Sequence, residues 1–251
     1  MKALITGGLG QIGSHVAEMF LERGDVVVVV DNLATGREEH LDKHPSLSVF
    51  IESIANKSKM EQLFEDFKPD VVVHAACSYK DPEDWYSDTL TNCVGGSLMV
   101  DLAKRHDVAR FVYYQTALCY GLRPHEQPVT LNHPRNPEGS SYAISKTANE
   151  YYLELSGLDY VTFRLANVVG PRNVAGPLPI FYQRLKDGKQ CFVTETRRDF
   201  VFVKDLAEVV LKACEGKGSG AYHFSSGKDI SIIKLYDAVV KAMKINNYPE
   251  P

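Results

Sequence analysis

Several features that would narrow the chemistry at once are missing from this chain. It has no C-x-x-C pair: Cys77, Cys93, Cys119, Cys191 and Cys214 stand singly. An odd number of scattered cysteines suits a reducing compartment rather than a disulfide framework, so a cytoplasmic location is expected. The 8 histidines show no H-E-x-x-H or other ligand spacing, and no metal site is expected. The longest apolar run near the start, Val26 to Val30, is far too short for a membrane span. The opening MKALITGG lacks a signal-peptide hydrophobic region of normal length and reads as a first strand. A net charge of −4 supplies no basic field for nucleic acid or anionic lipid. There is no internal repeat and no low-complexity tract.

What is present is ordinary in bulk and specific in order. The 251 residues, 44% hydrophobic and 24% charged, suffice for one large domain or for a large domain with a small lobe. KALIT reads as a strand, and Gln11 to Arg23 as a helix with Ile12, Val16, Met19 and Phe20 on one face. The β-branched run at Val26 to Val30 fits a strand buried on both faces. Leu47 to Ile51 reads as a third strand, about Lys57 to Phe67 as a helix and Asp70 to His74 as a fourth strand. A long helix follows from about Thr89 to Arg105, then strands at Arg110 to Tyr114 and near Tyr160. This alternation predicts an α/β fold: a Rossmann-type, doubly wound parallel sheet. From Asn167 the rhythm changes, and NVVGPRNVAGPLP reads as loop. The expected organisation is a dinucleotide-binding domain over 1–166. Residues 167–251 are then mainly a small substrate-binding lobe interleaved with that core.

Two clusters point to a cofactor. The first strand runs into TGGLGQIG, with Gly7, Gly10 and Gly13 every three residues. Bare backbone there permits a tight turn and lets a pyrophosphate approach, while the following helix offers free N–H groups. The second strand ends at Asp31, 18 residues after Gly13. A carboxylate in that place accepts ribose hydroxyls and repels a 2′-phosphate, which favours NAD over NADP.

A third cluster points to proton transfer. In SSYAISK, Tyr142 precedes Lys146 by four residues, so the two share a helix face. A lysine there stabilises tyrosinate and brings a phenol towards use near neutral pH. Spacing alone does not decide, because Tyr182 precedes Lys186 in the same way. Position decides. Tyr142 opens the helix that crosses from the fifth strand to the sixth, near the carboxyl ends of strands where such sheets bind ligands. Tyr182 follows the Gly/Pro loop, and its neighbours Phe181 and Leu185 suggest a packing helix.

The ordered motifs TGGLGQIG, DNLATG, HAA, YYQTALCYG, YAISK and RRDFVFVKDL resemble those of extended short-chain dehydrogenases/reductases. The resemblance is to their nucleotide-sugar epimerase/dehydratase group, of the UDP-galactose 4-epimerase type, and covers Met1 to about Lys244. It implies that Gly7, Gly10, Gln11, Ile12 and Gly13 hold the NAD pyrophosphate. Asp31 and Asn32 would hold the adenosine ribose, and Ala75 and Ala76 would pass close to the cofactor. Asn92 matches a structural asparagine. Thr116, Tyr142 and Lys146 match the catalytic set. Asn167 and Arg198 match residues beside the substrate diphosphate, for which arginine is well suited. Two helices, at about Thr89 to Arg105 and Ser141 to Leu155, pair across a homodimer in relatives.

There are departures from the pattern. Ser53 stands where the family often has an aspartate facing adenine, which leaves Ser53 and Ile54 to line that pocket. YHFSSG replaces an Asn-x-Gly-Ser-Gly pattern, and relatives run longer at the C-terminus. Thr116 is followed by Ala117 and Leu118, where sugar dehydratases keep an acidic pair. The implied activity is therefore NAD-dependent C4 epimerisation of a UDP-sugar, in cell-surface polysaccharide or nucleotide-sugar metabolism. A dehydratase or decarboxylase of the same family and a non-catalytic NAD-binding sensor are the alternatives.

Overall fold

A computed structural model describes residues 1–245. β1 (Lys2–Thr6) leads through the glycine loop into α1 (Gln11–Glu22), and β2 (Val26–Asp31) returns beside it. β3 (Leu47–Ile51), α2 (Lys57–Phe67) and β4 (Val71–His74) complete the first half. A helical stretch then runs without interruption through α3 (Trp85–Asp88), a π-helical turn (Thr89–Gly95) and α4 (Gly96–Arg105). It starts earlier than periodicity suggested because Asp84 caps it, its side chain accepting from Ser87 N at 3.0 Å. β5 (Arg110–Thr116), α5 (Ser141–Ser156) and β6 (Tyr160–Leu165) follow. Ser140 caps α5 at its start and Gly157, with φ of 76°, ends it in the left-handed conformation.

Beyond β6 the chain alternates between two bodies. β7 (Asn167–Val169), α6 (Pro177–Lys186) and β8 (Arg197–Phe202) leave the main sheet. α7 (Val203–Cys214) and β9 (Gly220–Phe224) return to it, and β10 (Asp229–Ser231) and α8 (Ile232–Met243) leave again. The main sheet is seven-stranded and parallel throughout, in the order β3-β2-β1-β4-β5-β6-β9. Its order reverses between β1 and β4, which opens a crevice at their carboxyl ends.

Two apolar layers sandwich the sheet. One joins α1 and α7 through Val16, Phe20, Leu206 and Val210. The other joins α2, α4 and α5 through Phe64, Met99, Leu102 and Leu153. A third cluster, including Phe181, Leu185 and Ile232, belongs to α6 and α8. Asn167–Val169, expected in a loop, is a strand: β7 pairs in parallel with β8, and β10 closes a three-stranded sheet. The Gly and Pro residues that suggested loop begin only at Gly170. Residues 246–251 of the expected lobe lie outside the described residues.

The return of the late segment to the main sheet is held by Arg110 at the start of β5. It is 3% exposed. Its guanidinium donates to Ala213 O and Lys217 O, each at 2.8 Å, and also reaches Gly218 O and Asp159. Arg110→Ala removes the guanidinium donor from Lys217 O and Gly218 O, while Ala213 O keeps Gly216 N, and we expect a loss of about 2–4 kcal/mol, read as a lower urea midpoint with an unchanged slope.

Candidate active site

The glycine loop is built against the end of β4. Gly7 has φ of 65°, and a Cβ there would stand 2.6 Å from Ala76 N and 2.8 Å from the Ala75 carbonyl carbon. A Cβ on Gly13 would stand 2.3 Å from Gly7 O. Only hydrogen fits at either place, so the chain stays thin where the crevice opens. Gly10 caps α1 with extended backbone and no side chain in the way. The Gln11 amide nitrogen is buried with no hydrogen-bond partner among the described residues.

Asp31, at the end of β2, is 7% exposed. Its two oxygens accept from Leu9 N at 3.0 Å and Leu33 N at 2.8 Å. One protein donor per oxygen leaves each with acceptor capacity towards the crevice. Asn32 accepts from Ala34 N at 3.0 Å and shapes the next turn.

Two adjoining cavities occupy the crevice. The first, about 350 Å³, is lined by Asp31, Asn32, Ser53, Ile54, Ala75 and Ala76. The second, about 310 Å³, is lined by Gln11, Ile12, Gly13, Thr116, Tyr142, Lys146 and Asn167. Gly7, Ala75, Cys77 and Tyr79 border both, so the two form one elongated site. A crevice with glycines at its waist, a carboxylate at one end and a buried amide donor along it fits a dinucleotide without a 2′-phosphate.

Helix α5 presents Tyr142, Lys146 and Glu150 on one face, four residues apart. Tyr113 on β5 holds the middle rung twice. Its hydroxyl donates to Lys146 O at 2.8 Å, and its ring faces Lys146 Nζ at 4.2 Å. His74 stacks on that ring at 5.7 Å between centroids, with its Nδ1 2.7 Å from Thr6 Oγ1. Burial, and then the Lys146 charge, push the His74 pKa down to about 3, so this histidine is neutral. Burial lowers Lys146 to about 8, against smaller upward pulls from Cys77 and Glu150.

Burial holds the Tyr142 phenol well above its ordinary value, helped by Cys77, Tyr79 and Asp88; only Thr116 acts downward. Lys146, lowered to about 8, has already lost its proton where so high a phenol titrates, and its Nζ faces the Tyr113 ring. Thr116 Oγ1 accepts from Leu118 N at 3.2 Å, which leaves its O–H to face Tyr142.

Asn92 is structural, as its motif suggested. Its amide donates to Ser78 O at 2.9 Å and Ser145 Oγ at 3.0 Å and accepts from Ser78 N at 2.9 Å. Arg198 is not among the residues lining the two cavities; it lies at an exposed position of β8 and donates to Arg197 O at 3.0 Å. The Tyr182/Lys186 pair lies on α6 and lines neither cavity, while Phe181 and Leu185 pack inward. Sequence reasoning missed Cys77 and Tyr79, although they directly follow the HAA motif at a strand's carboxyl end. It also missed Asn173, which no spacing marks.

A profile of the NAD dependent epimerase/dehydratase family matches residues 3–225. The chain belongs to this family. Relatives of this epimerase/dehydratase chain agree along its length. A UDP-glucose 4-epimerase of Mycolicibacterium smegmatis is 30% identical over 268 residues, covering 100% of this chain and 85% of that protein. The enzyme WbmH of Bordetella bronchiseptica, crystallised with NAD+, is 67% identical with a TM-score of 0.98. The match covers 100% of this chain and 83% of that one. WbmG of the same organism, crystallised with NAD and UDP, is 41% identical with a TM-score of 0.93, covering 99% and 80%. NAD is therefore this epimerase/dehydratase chain's cofactor. Among the described residues no group of three or more His, Cys, Asp or Glu is arranged for a metal, and no helix is long and apolar enough to cross a membrane.

Gly13→Ala drives a methyl into fixed backbone, so we expect NAD affinity to fall by about 10-fold or more in a fluorescence titration. Lys146→Met removes a buried charge and should stabilise the cofactor-free protein by ~1–3 kcal/mol at pH 7. Below about pH 8 the lysine is charged both folded and unfolded, so its burial cost is complete. Above that the folded state releases the proton first. The gain should therefore shrink as pH rises from 8 towards the ordinary lysine value of 10.5 in thermal melts.

Proposed function

We propose that this protein is an NAD-dependent nucleotide-sugar epimerase that inverts C4 of a UDP-linked sugar through a transient 4-keto sugar. The observation that carries the reading is the convergence of Thr116, Tyr142 and Lys146 on a cavity continuous with the dinucleotide crevice. Bound NAD supplies the hydride acceptor and donor. Tyr142 takes the proton of the sugar 4-hydroxyl and returns it after the ketone turns over. Thr116 hydrogen-bonds the same oxygen and the phenol. Lys146 would hold the cofactor ribose and supply positive charge to the site. Ala117 and Leu118 carry no proton, which disfavours a dehydration that needs a further acid and base.

Gly7, Gly10, Gln11, Ile12 and Gly13 line the pyrophosphate path in this reading, and Asp31, Asn32, Ser53 and Ile54 the adenosine end. Asn167, which lines the second cavity, meets the substrate diphosphate; for Arg198, which lines neither cavity, that role rests on the family motif alone. The residues after 166 supply most of the substrate side, within an organisation of core and lobe. The assembly is a homodimer, supported by the exposed Val94, Ile144, Tyr151, Tyr152 and Leu155 on the π turn and α5. A reducing cytoplasm, and a place in cell-surface polysaccharide or nucleotide-sugar metabolism, complete the assignment.

Proton NMR of a UDP-sugar panel tests it. C4 epimers should interconvert without added NADH, and Tyr142→Phe should slow this by about 100-fold or more while NAD stays bound. Binding across the panel without turnover would identify a sensor instead.

A further inference from the structure

A buried polar chain behind the catalytic threonine has no place in the roles above. Gln115, on β5 directly before Thr116, is 1% exposed. Its Oε1 accepts from Thr116 N at 2.8 Å, and its Nε2 donates to Glu150 Oε2 at 2.9 Å. Glu150 is fully buried and lies two helical turns after Tyr142 on the same face of α5. Arg164 of β6 donates to Glu150 Oε1 at 3.1 Å, and Arg135 stands 3.2 Å from Oε2. Arg164 in turn donates to Tyr120 OH at 2.6 Å, which stands 2.6 Å from His223 Nε2 on β9. Three segments thus hold one carboxylate, and among the described residues its hydrogen bond to the catalytic strand is the one from the Gln115 amide. A buried carboxylate held between a buried and a half-buried arginine is rigid because any displacement strands a charge.

We propose that Gln115 is a positioning residue: it ties the end of β5 to Glu150 of α5 and thereby aims the Thr116 hydroxyl at the Tyr142 phenol. With Tyr113 pinning Lys146 one turn earlier, β5 and α5 are joined by two rungs at the level of the reacting groups. The inference rests on the epimerase reading for its kinetic consequence but not for its geometry. The groups around Tyr142 are Cys77 and Tyr79 from the loop after β4, Asp88 of α3, Tyr113 and Thr116 of β5, and Lys146 one turn on along α5, which lines the same cavity. Thr116 alone among them favours tyrosinate by hydrogen bonding. Loosening it therefore raises the phenol's titration midpoint.

The test is the 13Cζ-tyrosine NMR titration of the NAD-bound protein, with the Tyr142 signal assigned by its loss in Tyr142→Phe. Gln115→Ala should move the midpoint up by about half to one pH unit. Gln115→Met fills the same space without either hydrogen bond and serves if the alanine variant is recovered unfolded. Thr116→Val should give a similar shift, and adding a Gln115 substitution to it should add nothing. An unmoved midpoint, or additive shifts in the double variant, overturns the proposal. The acid limb of kcat for UDP-sugar epimerisation should follow the same shift to higher pH. A wild-type protein that turns over no sugar would refute the epimerase reading, while the titration still judges Gln115.

Discussion

The parallel pairing of β1 with β4 is the constraint on which the site depends. It brings the turn after Thr6 against the backbone of Ala75 and Ala76, closer than any side chain allows. That contact makes the crevice, and the strand order reverses at this point so that no helix covers it. Thr6 and His74, the last paired residues, are themselves joined by a hydrogen bond, so the ends of the two strands move together. Everything that holds a dinucleotide or acts beside it is hung from this junction.

On the other side of β4, the electrostatics of the site follow from burial. Lys146 is a cation in an apolar layer, and its charge is tolerated because a tyrosine face and a neutral histidine line it rather than another cation. The same burial opposes ionisation of Tyr142. A phenol kept protonated by its surroundings, with one threonine hydroxyl against it, needs a nearby positive charge to become a base. A pyridinium ring bound in the adjoining crevice is such a charge.

Much of this was legible in the chain, and the reason differs by feature. Strands β1, β2 and β4 to β6 are visible because buried parallel strands demand continuous β-branched or aromatic runs; β3 carries such a run although it lies largely exposed at the sheet edge. The glycine loop and Asp31 are visible because their roles depend on sequence-local geometry, a turn and a strand end. β9 was not visible: GAYHF is short and partly exposed, and its place beside β6 depends on Arg110 reaching the turn before it. β7 was hidden by the Gly and Pro residues that follow it, which govern the next turn rather than the strand.

The Tyr142/Lys146 spacing marks the limit of sequence reasoning. A four-residue interval determines that two side chains share a helix face, and the chain's motifs determine that this helix borders an NAD crevice. It does not determine what each side chain touches. Only the folded structure turns the lysine towards Tyr113, leaves Thr116 as the phenol's one favourable neighbour and places Gln115 between that threonine and Glu150. Sequence acts through local periodicity and backbone permission. Charge, contact and alignment between helix and strand arise from residues far apart in the chain, and tertiary packing decides them.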